Sequence, residues 1–274
     1  MRASLKKLLR GESGQDHSHP NFIMSRNLQT RDWLHTAFGE ESDDNFGTSI
    51  AMSSDGLVVA VGAPNARDTN NGNDSGSVTV FKYDGSTYIE LNTFYGIDDN
   101  ARFGKSIALS NDGGYLAVGA PKSRDTNRDE TGSVTVFQYN TASDDYTQLG
   151  SAIHGVAQGD LFGSSIALSN DGGALAVGAP VGRDTNEDKT GSVTVFEYNG
   201  STYTKLGSAI YGVGNDDLFG TSVALSSEGS KLAVGAPKTE TNGAKTGSVQ
   251  IYELVSLLKH DMIQLSSSFL SSHN

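Results

Sequence analysis

The stretch Ser110–Asn127, SNDGGYLAVGAPKSRDTN, returns almost unchanged at Ser169–Asn186 as SNDGGALAVGAPVGRDTN. Looser copies begin at Ser54 (SDGLVVAVGAPNARDTN) and Ser227 (SEGSKLAVGAPKTETN). Every copy has a turn of small and acidic residues, a short apolar run, Gly-Ala-Pro and then a polar loop. Residues that tolerate positive φ ahead of an apolar run predict a tight hairpin turn. The continuous apolarity of YLAVGAP predicts a strand buried on both faces, ended by its proline.

Further markers lie on either side of this stretch. Phe-Gly opens each unit at Phe46, Phe103, Phe162 and Phe219, so the periods are 57, 59 and 57 residues. Gly-Ala-Pro follows at Gly62, Gly119, Gly178 and Gly235, and Gly-Ser-Val at Gly76, Gly132, Gly191 and Gly247. Three markers in step over four units identify structural repeats. Each unit reads as four strands: FGKSIALS, YLAVGAP, GSVTVFQY and a fourth entered through a hairpin turn. Asp84-Gly85 and Asn199-Gly200 supply that turn in two units, and the longer NTASDD (Asn140–Asp145) replaces it in the second.

The run DWLHTAFGEESDDNFG before Phe46 aligns without gaps to IELNTFYGIDDNARFG before Phe103. The N-terminal side therefore offers a lone fourth strand near Asn27–Ala37, while the last unit has none after GSVQIYELV. This predicts an all-β, propeller-like fold of four repeats with about four strands each, its fourth blade closed by the N-terminal strand. A fragment of a longer propeller, or an open stack of sheets, is the alternative. Residues 1–26 read as a leader or disordered segment, 27–254 as the propeller and 255–274 as a tail outside the repeat.

Composition agrees with many short strands and tight turns: 33 glycines, 36% apolar and 19% charged residues. A net charge of −12 repels phosphate backbones, so nucleic acid is not an expected partner. The absence of cysteine excludes disulfides, thiol catalysis and Cys-based zinc sites. No stretch approaches the ~20 apolar residues of a membrane-spanning helix, and the basic N-terminus lacks an apolar core of secretory length.

Phe-Gly followed by Gly-Ala-Pro, four times over, resembles the FG-GAP repeats of integrin α-subunit β-propellers. Short phrases such as DDNFG (Asp43–Gly47) and VGAP bring it closer to the abbreviated FG-GAP repeats of microbial and algal proteins. The resemblance implies an extracellular or cell-surface, adhesion-like module that binds protein or glycan. Integrin-type repeats carry a calcium loop between the first and second strands. Here the segments SSDGLV, SNDGGY, SNDGGA and SSEGSK have too few carboxylates to wrap a cation, so that site does not carry over.

The loop after Gly-Ala-Pro is the other candidate for Ca²⁺. Asp125, Asn127 and Asp129, like Asp184, Asn186 and Asp188, place oxygen side chains at alternate positions, as the start of a calcium loop does. The first unit offers Asp68, Asn70 and Asp74. The competing reading is that Asp, Thr and Asn shape these turns by bonding nearby backbone amides. No Ser-His-Asp set, phosphate-cradling loop or metal-binding His pair stands out, so the expected function is a non-enzymatic binding or scaffold module. The alternative is a propeller hydrolase or lyase with an axial carboxylate pair.

Overall fold

Ser110 Oγ donates to Asp112 Oδ1 at 2.8 Å, the same oxygen accepts the Gly114 amide at 2.8 Å, and Gly113 turns at φ 72°. The hydroxyl–carboxylate pair recurs at Ser53/Asp55 and Ser169/Asp171. It turns the chain from the first to the second strand of a repeat. The structure, a computed structural model, describes residues 35–68, 74–241 and 244–255. The expected leader, residues 27–34 of the expected N-terminal strand and the tail from 256 onward lie outside the described residues.

Sheet 1 runs β1 (Ser49–Met52), β2 (Val58–Ala63), β3 (Ser77–Tyr83) and β4 (Tyr88–Tyr95), each antiparallel to the next. Sheet 2 repeats the order with β5 (Ser106–Leu109), β6 (Tyr115–Ala120), β7 (Ser133–Asn140) and β8 (Asp145–Gln148), and β9 (Ile153–His154) also pairs with β7. Sheet 3 has β10 (Ser165–Leu168), β11 (Ala174–Ala179), β12 (Ser192–Tyr198), β13 (Tyr203–Lys205) and β14 (Ile210–Tyr211), arranged likewise. In sheet 4, β15 (Ser222–Leu225) and β16 (Lys231–Ala236) are followed by a small hairpin, β17 (Glu240–Thr241) and β18 (Ala244–Lys245). β19 (Ser248–Glu253) then joins β16 to complete a sheet of three.

The fourth strand is continuous in sheet 1 and divided in sheets 2 and 3. From Tyr146 to His154, and from Tyr203 to Tyr211, the chain has one residue more than from Tyr88 to Tyr95. Gly150 and Gly207, at φ 69° and 68°, absorb it as a break. Sheet 1 instead shows a register shift between Val80 and Phe81.

The core lies between sheets. Ala60, Val78 and Val80 on the back of sheet 1 meet Phe103, Ile107, Leu116 and Val118 on the front of sheet 2. The same back-to-front contact joins Val134 and Val136 to Phe162 and Leu175, and Val193 and Val195 to Phe219 and Leu232. Each buried Val, Leu or Phe of these faces contributes ~1.5–3 kcal/mol by leaving water, which lone sheets could not achieve. Phe103, Phe162 and Phe219 stand edge-on to Phe137, Phe196 and Tyr252 at 6.4, 6.2 and 6.3 Å, as wedges between sheets.

Close approach at these interfaces depends on glycine. A Cβ on Gly62, Gly119 or Gly178 would sit 2.1 Å from the carbonyl oxygen of Gly104, Gly163 or Gly220 in the next sheet. Those carbonyls also accept the hydroxyls of Ser49, Ser106 and Ser165 at 2.6, 2.7 and 2.7 Å. Backbone bonds then step from turn to turn: Ser54 N to Asn111 O, Asn111 N to Asn170 O, and Asn170 N to Ser227 O.

The four-repeat, propeller-like, all-β architecture matches the sequence reading, but the sheets are not closed. β1 packs on β5, β5 on β10 and β10 on β15, and β15 is not packed against β1. Three interfaces of one geometry carry the sheets round without returning sheet 4 to sheet 1. Residues 35–37 are not in a strand, and among the described residues β19 has no partner on its outer edge.

Candidate interaction surface

The loops after Gly-Ala-Pro use their first carboxylate on their own backbone. Asp125 Oδ1 accepts the amides of Asn127 (2.9 Å) and Asp129 (3.0 Å), and Asp184 Oδ1 accepts those of Asn186 (2.8 Å) and Asp188 (3.0 Å). Such bonds between an Asp side chain and amides two and four residues on are the local turn-making that Asp favours in loops. In the first repeat Asp68 is buried, and Asp74 pairs with Arg67 at 2.9 Å across an exposed surface. Asn70 lies outside the described residues, as does Asn242 of the fourth repeat. Among the described residues no three acidic or histidine side chains gather at metal-holding spacing. In the second and third repeats Asp125 and Asp184 thus act as turn-makers, the competing reading of these loops.

The loop arginines are also engaged locally. Arg124 reaches Glu130 at 3.3 Å and Arg183 donates to the Glu187 carbonyl at 2.9 Å. Exposed pairs of this kind contribute little stability, and they hold the guanidinium groups to their own loops.

Other carboxylates shape the entry to each sheet. Asp44, Asp160 and Asp217 are buried two residues before the Phe-Gly phenylalanine and accept the amides of Glu41, Ala157 and Gly214 at 2.9, 3.2 and 3.0 Å. Burial pushes the Asp160 carboxyl above the usual carboxylate range, and its Oδ1 has no partner. In the hairpins, by contrast, the Leu57 amide and Ser53 hydroxyl hold Asp55 below that range.

The tyrosines repeated at the end of each third strand are packed against other tyrosines. Tyr83, Tyr139 and Tyr198 each lie 5.3 Å from a fourth-strand tyrosine, Tyr88, Tyr146 and Tyr203. The latter three donate their hydroxyls to the turn carbonyls of Gly56, Gly113 and Gly172. Burial pushes the Tyr146 and Tyr203 hydroxyls far up, so they stay protonated donors. Sequence reasoning missed this latch, although a tyrosine at the start of each fourth strand was available as its signal.

It also missed a row of exposed aliphatic side chains. Ile97, Val156 and Val213 each follow the glycine that ends a fourth strand, and they are 85%, 91% and 84% exposed. Ile97 borders a groove of about 220 Å³ with Tyr95, Arg124, Thr135, Gln148 and His154. Val156 borders the equivalent groove of about 180 Å³ with Arg183, Thr194, Lys205 and Tyr211. A single exposed aliphatic residue is ordinary surface, but three at one repeat position form a periodic feature. No helix among the described residues is long and apolar enough to cross a membrane.

Many solved structures are similar to this chain, among them the two that follow. Hydrazine synthase of Kuenenia stuttgartiensis has TM-score 0.48 and 16% identity over 81% of this chain and 49% of its own. The Cps50 (Swd1) β-propeller domain of Myceliophteria thermophila has TM-score 0.48 and 11% identity over 76% of this chain and 53% of its own. The chain thus spans about half the length of these structures, and at such identity the likeness concerns architecture alone. No curated protein matches. The FG-GAP repeat model matches residues 36–81, 97–137, 154–196 and 212–252, more than half of the sequence and once in every sheet. The chain belongs to the FG-GAP repeat family.

Proposed function

We propose that the chain is a non-enzymatic, protein-binding propeller module. Its contact surface is the row Ile97, Val156 and Val213 with the polar grooves beside it. The observation that carries this reading is the threefold recurrence of an exposed aliphatic side chain at one repeat position. A protein partner gains by covering such a row, whereas a glycan is better served by exposed aromatic faces. Here Tyr83, Tyr139 and Tyr198 are paired with other tyrosines. The non-enzymatic part of the reading is supported by the structural duty of the loop, hairpin and sheet-entry carboxylates.

Probing a random peptide library and a glycan array with the chain, and with Ile97→Asp/Val156→Asp/Val213→Asp, tests the reading. Peptide ligands that the triple variant loses are the expected result. Glycan ligands alone, or peptides that bind both chains equally, would contradict it.

A further inference from the structure

The two ends of the sheet stack carry the two unmatched halves of its internal interface. On the front of sheet 1, Ile50 and Met52 are 64% and 57% exposed, while their counterparts Ile107 and Leu109 pack against the preceding sheet. On the back of sheet 4, Val249 and Ile251 are 69% and 73% exposed, while Val134 and Val136 are buried under the following sheet.

The polar contacts are halved in the same way. Ser49, Ser106 and Ser165 each donate to the Phe-Gly carbonyl of the next sheet, and Ser222 at the same position faces none among the described residues. A Cβ on Gly104, Gly163 or Gly220 would meet the preceding sheet's Ser77, Ser133 or Ser192 carbonyl at 2.3–2.4 Å, whereas one on Gly47 would meet nothing within 4 Å. The amides of Phe103, Phe162 and Phe219 donate back to Ser75, Thr131 and Thr190. Phe46 makes no such bond among the described residues. Among the described residues β19 also has an open outer edge, and Phe38, in the repeat position of the β9 and β14 ends His154 and Tyr211, is exposed.

An open sheet edge beside an apolar face is a template for another chain. The part that fits both ends is already visible three times, because every internal interface joins this back to this front. We infer that the back of sheet 4 takes the front of sheet 1 of a second copy of this chain. Thr36–Phe38 of that copy completes the sheet along the free edge of β19. A back-to-front contact is heterologous, so it closes only as a ring. Two copies give eight sheets, within the usual propeller range of about four to eight, and three would exceed it. The same contact then forms twice, and Ser222 of each copy gains the Gly47 carbonyl of the other.

The test is the mass of the full chain in solution, by light scattering or sedimentation, from about 1 to 100 µM. The expected mass is that of two chains. Ile50→Asp and Ile251→Asp change side chains that are exposed in a single chain, so each variant should keep its circular dichroism and fall to the one-chain mass. Mixed together, they should recover a two-chain species, because each retains the half that the other lacks. A wild-type chain at one-chain mass throughout would overturn the inference, as closure within the chain or cover by another segment would give. A two-chain mass that survives both substitutions would overturn the assigned faces. A mass that climbs past two chains would overturn closure by two.

Discussion

Gly119 and Gly235 hold the same place in two repeats and meet different surroundings. Beside Gly119 the next sheet leaves no room for a Cβ, which would lie 2.1 Å from the Gly163 carbonyl. Beside Gly235 the nearest obstacle is the Ser222 hydroxyl at 2.3 Å, and no neighbouring sheet among the described residues is in reach. The repeat therefore encodes an interface as well as a strand order. In sheet 4 the residues of that interface are present and, among the described residues, its partner is not.

The sharpest way to break this contrast is to add a methyl group at both places. Gly119→Ala should cost about 3 kcal/mol or more, because backbone on two sheets must shift, and Gly235→Ala under about 1 kcal/mol. Urea unfolding of both variants as single chains, in an Ile251→Asp background, measures the difference. Equal costs would mean that Gly235 too has a close neighbour.

A second contrast lies in the side chains. In a chain kept single by Ile50→Asp, Leu175→Ala, buried between sheets 2 and 3, should lose ~2–5 kcal/mol, and Ile251→Ala on the open face about 0.5 kcal/mol or less. A smaller loss is expected for Tyr203→Phe, which leaves the Gly172 carbonyl without its donor. About 1–2 kcal/mol is the expected effect. An unchanged midpoint would show that the latch is packing alone.

The smallest effect concerns Asp160. Its folded-state pKa is raised, so protonation favours the fold, and the penalty of the charge sets in as pH rises through the ordinary carboxylate range. Asp160→Asn should therefore unfold at a higher temperature than wild type at pH 7 and show no such advantage at pH 3. The second repeat already has Ala101 at this position. An advantage that is larger at pH 3 would reverse the sign and the explanation.

Much of this was legible in the sequence. Gly-Ala-Pro and Gly-Ser-Val placed the second and third strands of all four repeats, and Phe-Gly the wedges of the three interfaces, because packing between like sheets imposes the same residues each time. Closure was not legible. The alignment of residues 32–47 with 89–104 identifies a spare fourth strand but not the copy whose β19 it joins, since register is local and the angle between sheets is not. The loops of Asp125 and Asp184 show a similar limit. Alternate oxygen side chains suit a cation or a turn equally well on paper, and the direction of the Asn127 and Asp129 amides favours the turn. Ile97, Val156 and Val213 passed unnoticed because an aliphatic residue after a glycine carries no signal until its exposure is known.

The most direct test of the repeated interface is amide hydrogen exchange at the four Phe-Gly segments of the Ile251→Asp chain, held dilute. The amides of Phe103, Phe162 and Phe219 donate across an interface and should exchange slowly, and that of Phe46 at least ~100-fold faster. Equal protection at all four would mean that sheet 1 already has a neighbour within its own chain, and the open stack would be wrong.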